Sequence, residues 1–354
     1  MKILYGVQGT GNGHISRASA MYEAFKSYPD LQIEWLLSGR DASQGCGAIT
    51  DFSWRRGMTF VTSAGRIQAL ETLKHNNLRL FFRDVRELDL SPYDLVISDY
   101  EPVISHAAKR QKVPVTGIGH QYAFRYDIPR SGANPVVNYI MKSYAPVTKP
   151  VGLHWHHFNF PILPPILDIT LPARMPSPIA NKVIVYLPFE SLQEITDIIR
   201  QIPEYEFYIY HPKNTADRDE GHLHFRQISR LGFKQDLLDA QQVITNSGFE
   251  LISECLQIGK NILTRPLKGQ MEQLSNARAL EELGYAEVIK TLSVKNIATW
   301  LQKNKTPVQV IYPNVAERLT AWIANGCRET VEELAAELWQ EKEPSVQARD
   351  ADAA

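Results

Sequence analysis

Cysteine is scarce in this chain. Its 354 residues include three, Cys46, Cys255 and Cys327, and no C-x-x-C pair. That spacing disfavours both a disulfide framework and a thiolate zinc site. An excess of one charge is missing too: 38 Lys and Arg stand against 39 Asp and Glu, a formal net charge of −1. Binding along a phosphate backbone draws on clustered cations, so no nucleic-acid partner is expected. No stretch reaches the ~18–20 apolar residues of a spanning helix. The opening MKILYGVQGTGNGH has a short apolar run before its glycines, which is too little for a secretory leader. The expectation is a cytoplasmic protein. Gly (20) and Pro (21) are near average usage, which excludes collagen-like and low-complexity classes. Apolar residues make up 44%, enough for a large core.

What is present is an alternation of short apolar runs with helical patterns. Ile3–Val7, Leu31–Leu37, Met58–Thr62, Asp94–Ser98 and Val113–Ile118 read as strands. Ile15–Tyr28, Ala69–Leu88 and Val103–Gln111 read as helices between them. Continuously apolar strands separated by helices predict a parallel sheet covered on both faces. Prolines then crowd between residues 161 and 178 and interrupt the pattern. Beyond them it restarts, from Val183–Leu187 through Glu250–Ile258 and Met271–Leu283 to Asn314–Asn325. The reading is an α/β chain of two doubly wound Rossmann-like halves. The first covers 1–163, the linker 164–180 and the second half 181–340, followed by a polar tail, 341–354. In such sheets ligands bind beyond the carboxyl ends of the strands. With two halves facing each other, the cleft between them is the expected site.

The first glycine loop, Gly9-Thr10-Gly11-Asn12-Gly13-His14, follows a strand and opens a helix. Its backbone N–H groups suit an anion or a polar transition state. It is neither a dinucleotide fingerprint, since His14 stands where the third glycine would be, nor a P-loop, since no Gly-Lys-Ser/Thr follows. His14 in the first helical turn is a candidate general base. Asp99 ends a strand on the same sheet edge, where it either orients His14 or caps the helix near Pro102.

In the second half, Asn246-Ser247-Gly248-Phe249-Glu250-Leu251-Ile252-Ser253-Glu254 is followed by Gly259-Lys260 and by Gln270-Met271-Glu272-Gln273-Leu274-Ser275-Asn276-Ala277. A strand ending in Ser-Gly at a helix start suits a diphosphate. Together with GTGNGHISRA at 9–18, this resembles the GT-B glycosyltransferases. It is similar to the peptidoglycan N-acetylglucosaminyltransferase family and to a little-characterised bacterial and archaeal glycosyltransferase family. The resemblance implies a GT-B fold and an inverting, metal-independent hexosyltransferase without cofactor. Its donor would be a nucleotide sugar, a UDP-sugar by the same resemblance. It implies that Ser247 and Gly248 hold the diphosphate, Glu254 the ribose, Glu272 and Gln273 the donor sugar, and Phe233 with Lys234 the base. It makes His14 the base and Asp99 its partner. Independently of the resemblance, Gly9, Gly11, Gly13 and His120 are read as the acceptor or phosphate side, His120 because its segment follows a strand on the active edge, where it lines an acceptor pocket or is an ordinary loop. The chain departs from the lipid-linked relatives at Asn246, where they carry Arg, and at Glu272, where they carry Gln. Arg265 or Lys268 could supply the missing charge.

Three further features carry weaker expectations. Asp217-x-Asp219 reads as a solvated loop rather than a metal motif. His154, His156 and His157 read as packing near the junction, with a metal pair as the sharper alternative. Aromatics and cations interleaved from Tyr122 to Lys149 raise peripheral contact with an anionic membrane. The acceptor is unknown; a cell-envelope lipid or polysaccharide fits that reading. Two rival functions are a nucleotide-sugar 2-epimerase of the same fold and a non-catalytic nucleotide-sugar-binding regulator.

Overall fold

The structure, a computed structural model, describes residues 1–59, 62, 63, 66, 67, 71, 74, 76–168, 175–303 and 306–340. Among the described residues, eight strands fall in the first half: β1 (Lys2–Gln8), β2 (Gln32–Ser38), β3 (Ser53–Trp54), β4 (Thr62–Ser63), β5 (Arg66–Ile67), β6 (Leu95–Asp99), β7 (Thr116–Gly119) and β8 (Lys149–Gly152). Six of them form one parallel sheet in the order β3-β2-β1-β6-β7-β8, and β4 pairs with β5 apart from it. Its helices are α1 (Asn12–Phe25), α2 (Leu78–Glu87), α3 (Pro102–Gln111) and α4 (Pro135–Tyr144). Ile3, Tyr5, Val7, Val96 and Ile97 in the central strands are wholly buried, which explains why those strands read as continuous apolar runs. Each such side chain contributes roughly 1.5–3 kcal/mol of burial.

The second sheet holds β9 (Ile179–Tyr186), β10 (Glu206–Tyr210), β11 (Arg218–Glu220), β12 (Leu223–Arg226), β13 (Ala240–Asn246), β14 (Asn261–Arg265) and β15 (Glu287–Val288). Its order is β11-β12-β10-β9-β13-β14-β15, parallel except for the β11–β12 edge. Its helices are α5 (Leu192–Ile199), α6 (Arg230–Asp239), α7 (Phe249–Gln257), α8 (Met271–Leu283), α9 (Val294–Leu301), α10 (Val315–Ala324) and α11 (Val331–Gln340). The last two return to the first half. Helix α10 packs against α1, and Trp339 Nε1 donates to Ile162 O at 2.6 Å.

Several local expectations shift. Met58 and Thr59 are not in a strand; of the helix expected over Ala69–Leu88, residues 69, 70, 72, 73 and 75 lie outside the described residues, 71 and 74 are helical, and a continuous helix runs over Leu78–Glu87. The expected short helix at Gln235–Ala240 starts earlier, at Arg230 behind its Ser229 cap. Helix α4 was not anticipated, although Asn134-Pro135 marks it. Asn134 accepts from Val137 N, and Pro135 holds the first turn.

Each sheet has its switch point where the site forms. In the first, the chain leaves β1 toward β2 on one side and has β6 on the other, so Gln8 and Asp99 end beside a crevice. In the second, β9 lies between β10 and β13, which places Tyr186 and Asn246 at the matching edge. A crevice at such a position is where open α/β sheets hold ligands.

Candidate active site

The two crevices share one cleft of about 790 Å³. The first half contributes Gly11, Gly13, His14 and Arg40; the second contributes Tyr186, Phe233, Lys234, Gly248, Glu250, Glu254, Glu272 and Gln273. Three helices open on it without a side-chain cap, α8 at Gln270 and two at glycines. Helix α1 starts at Gly11, whose φ of 95° needs glycine, and α7 starts at Gly248, where a Cβ would meet nothing within 4 Å. Both therefore leave amide N–H groups free at a positive helix end.

His14 and Asp99 meet as expected from their shared edge: Nδ1 lies 2.7 Å from Asp99 Oδ1. Asp99 is wholly buried. It does not cap the next helix. Tyr100, in a left-handed turn with φ 52°, hands that task to Glu101, which accepts from Val103 N and Ile104 N at 2.8 and 2.6 Å. Burial pushes Glu101 up to about 7, against the pull of Ser38 and those amides. Asp99 moves the other way. Burial alone would raise it, but Arg17 and then His14 hold it below the usual carboxylate range.

Arg17 is the participant that sequence reasoning missed. Its Nε donates to Asp99 Oδ2 at 2.8 Å, its Nη2 to Asp99 Oδ1, and its Nη1 to Glu250 Oε1 from the opposite half. The side chain is 1% exposed. Burial opposes its charge, but Asp99 and Glu250 more than compensate and raise its pKa further. Leaving a guanidinium inside a protein without such partners would be strongly unfavourable.

The donor side is similarly specific. Glu254 is 5% exposed and lines the cleft. Burial pushes it up to about 8; Lys234 pulls down, while Asp168 and Glu250 push up. Among the described residues its carboxylate accepts no protein hydrogen bond. Phe233 stands edge-on to Tyr186 and Tyr210, with ring centroids 5.5 and 4.9 Å apart. Lys234 Nζ pairs with Asp168 Oδ2 at 2.7 Å, which ties α6 to the linker. Gln273 lines the cleft, but its Oε1 accepts from Leu267 N at 3.0 Å. Glu272 accepts from Gln121 Nε2 across the cleft at 3.1 Å.

Five expected residues lie elsewhere. His120 is buried off the cleft, stacked on Phe249 at 4.0 Å, with Nε2 on Asn276 Oδ1 and Nδ1 on Leu153 O at 2.7 and 2.8 Å. It joins the halves instead of lining an acceptor pocket. Ser247 is buried and its hydroxyl pairs with Thr264 at 2.9 Å, so only its backbone is near the helix start. Gly9 packs on Arg40, with its N–H bonded to Ser38 O. Arg265 pairs with Glu190 at 2.6 Å, and Lys268 is exposed away from the cleft lining. Asp217 and Asp219 sit at the sheet edge; Asp219 accepts from Arg226 and faces His224. His154, His156 and His157 each accept a nearby backbone N–H at Nδ1, and none lines the cleft.

A family model described as Glycosyl transferase family 1 matches residues 1–304. The chain belongs to glycosyl transferase family 1. No curated protein matches it. Among solved structures, this family 1 glycosyltransferase is similar to the spinosyn forosaminyltransferase SpnP, at 12% identity and TM-score 0.55, over 96% of this chain and 99% of that one. It is similar to the glycosyltransferase SnogD from Streptomyces nogalater, at 13% identity and TM-score 0.54, over 96% of each chain. The calicheamicin glycosyltransferase CalG4 matches at 13% identity and TM-score 0.53, over 99% of each chain. These likenesses show the GT-B fold. Among the described residues no helix is long and apolar enough to cross a membrane.

Proposed function

We propose that the protein is an inverting glycosyltransferase that moves a sugar from a nucleoside diphosphate to an acceptor hydroxyl in this cleft. The observation that carries the reading is the meeting, in one cleft, of the His14–Asp99 pair and the uncapped start of α7. His14 takes the acceptor proton at Nε2 as the hydroxyl oxygen attacks the anomeric carbon. The bond to the diphosphate breaks on the opposite face. Asp99 stabilises the imidazolium that forms. The amides in the first turn of α7 face the charge that develops on the leaving diphosphate, while the Gly248 N–H itself donates to Asn246 O at 2.8 Å. Glu254 accepts the ribose hydroxyls, Glu272 and Gln273 hold the sugar, and Phe233 with Lys234 flanks the base. The reaction routes no step through a metal.

For the nucleotide the proposal is UDP. A neighbour, the Streptomyces sp. SF2575 glycosyltransferase SsfS6, was solved with thymidine diphosphate, so TDP-sugars are the competing class. For the acceptor the proposal is a cell-envelope lipid or polysaccharide, reached from the cytoplasm by peripheral membrane contact. Val136, Tyr139 and Ile140, exposed on α4 beside Lys142, support that contact. Tyr122, Phe124 and Tyr144 from the same stretch are buried and do not. A thermal-shift screen of UDP- and TDP-sugars, followed by assay of nucleoside diphosphate release with acceptor, tests the reading. Donor interconversion without acceptor would favour the epimerase, and tight binding without turnover the regulator. Either result sinks transfer.

A further inference from the structure

The Arg17 guanidinium and the His14 imidazole compete for the same oxygen. His14 Nδ1 lies 2.7 Å from Asp99 Oδ1 and 2.8 Å from Arg17 Nη2. One ring nitrogen cannot both donate to the carboxylate and accept from the guanidinium. If Nδ1 carries the proton and donates to Asp99, Nε2 keeps its lone pair and is a base. If Nδ1 accepts from Arg17, the proton sits on Nε2 and His14 can remove none. Where Arg17 is held therefore decides what His14 can do.

Arg17 is held from across the cleft. Its Nη1 donates to Glu250, 233 positions along the chain and in the first turn of α7. The other Glu250 oxygen lies over Gly13, where a Cβ would come within 2.4 Å of Oε2. Any side chain at 13 would have to push the Glu250 carboxylate aside, and this crowding, not backbone conformation, is what a Cβ there would meet. The charged groups around the imidazole are Asp99 from β6, Arg17 from α1 and Glu250 from α7, with the neutral Tyr5 phenol of β1 behind Asp99 and Arg17. Two carboxylates and one guanidinium leave a net charge of −1, which an imidazolium formed during transfer would neutralise.

We propose that Glu250 and Arg17 are a cross-cleft positioning pair that sets the tautomer of His14. With α7 seated on α1, Glu250 draws one end of the guanidinium toward the second half. Asp99 then accepts the Nδ1–H hydrogen bond, the proton stays on Nδ1, and Nε2 is left as the base. The pair exists only while the halves are together, so base competence is tied to the closed cleft. The proposal rests on the reading of His14 as base.

The test is the ¹⁵N spectrum of histidine-labelled, ligand-free protein, with His14 assigned by its loss in His14→Ala. Wild type is expected as the Nδ1–H form. Glu250→Gln should move the Nδ1–H to Nε2–H ratio by about tenfold or more, the scale of one charge-assisted hydrogen bond. Gly13→Ala, which displaces the Glu250 carboxylate without removing it, should shift the ratio the same way. Unchanged ¹⁵N patterns in a folded Glu250→Gln protein, or an Nε2–H wild type, would overturn the pair. Calorimetry with UDP on the same proteins separates the two levels. Failure of wild type to bind UDP counts against the UDP-donor reading and leaves the tautomer result to judge the pair. Full turnover by His14→Ala, with a donor found by the screen, would remove the base and the pair with it.

Discussion

Glu254 offers the sharpest check on the donor side. Its carboxyl is buried against the cleft and pushed up to about 8 in the ligand-free protein. Ribose hydroxyls donate to the ionised form, so binding a nucleoside diphosphate should expel the proton. With a pKa near 8, about 0.9 of the carboxyls are protonated at pH 7 and about 0.1 at pH 9. UDP binding should then release up to ~0.9 proton at pH 7, and affinity should climb about tenfold by pH 9. Calorimetry in two buffers of different ionisation enthalpy counts the released protons. Glu254→Gln subtracts any contribution from the phosphate itself, and it should abolish the release while weakening UDP. The same group shapes stability. Its folded pKa lies above the ordinary glutamate value of 4.5, so the folded state holds the extra proton between those values. Stability from this source is highest below about 4.5 and is lost as pH rises toward about 8, on the order of a few kcal/mol. Glu101 adds a loss of the same sign, so the comparison is again with Glu254→Gln. Equal proton release by wild type and variant, or UDP affinity that falls with rising pH, would refute the ribose assignment.

The remaining expectations concern the catalytic edge. His14→Ala should lower transferase turnover by ~10²–10⁴ while calorimetric UDP affinity stays nearly unchanged; a turnover near wild type removes His14 from the chemistry. Ser247→Ala should leave UDP affinity within about threefold and cost about 1 kcal/mol in denaturant unfolding, because its hydroxyl bonds Thr264. A large affinity loss would mean that the hydroxyl turns to the ligand. Chelator should leave transfer intact in a coupled release assay, and its abolition would bring a metal into the mechanism.

Much of the candidate site was legible because its signals are local. Glycine before His14, and Ser247-Gly248 before an apolar helix, announce a strand–turn–helix in a few residues. Glu254 follows on the helix that this turn opens. What escaped was whatever depends on the partner surface. Arg17 reads as an ordinary polar position in an amphipathic helix until Asp99 and Glu250 close on it. His120 and Ser247 sit at the right addresses in the chain, yet their side chains turn inward to Asn276 and Thr264.

The sequence by itself determined the alternation of strands and helices, the two glycine turns and the chemistry available at each sheet edge. These follow from periodic burial and from backbone freedom at single residues, which act over a few positions. The tertiary structure alone decided that α10 and α11 return to the first half, and that Glu250 reaches Gly13 and Arg17. Those outcomes depend on how elements hundreds of residues apart approach, and charge pairing at such distances leaves no period in the chain.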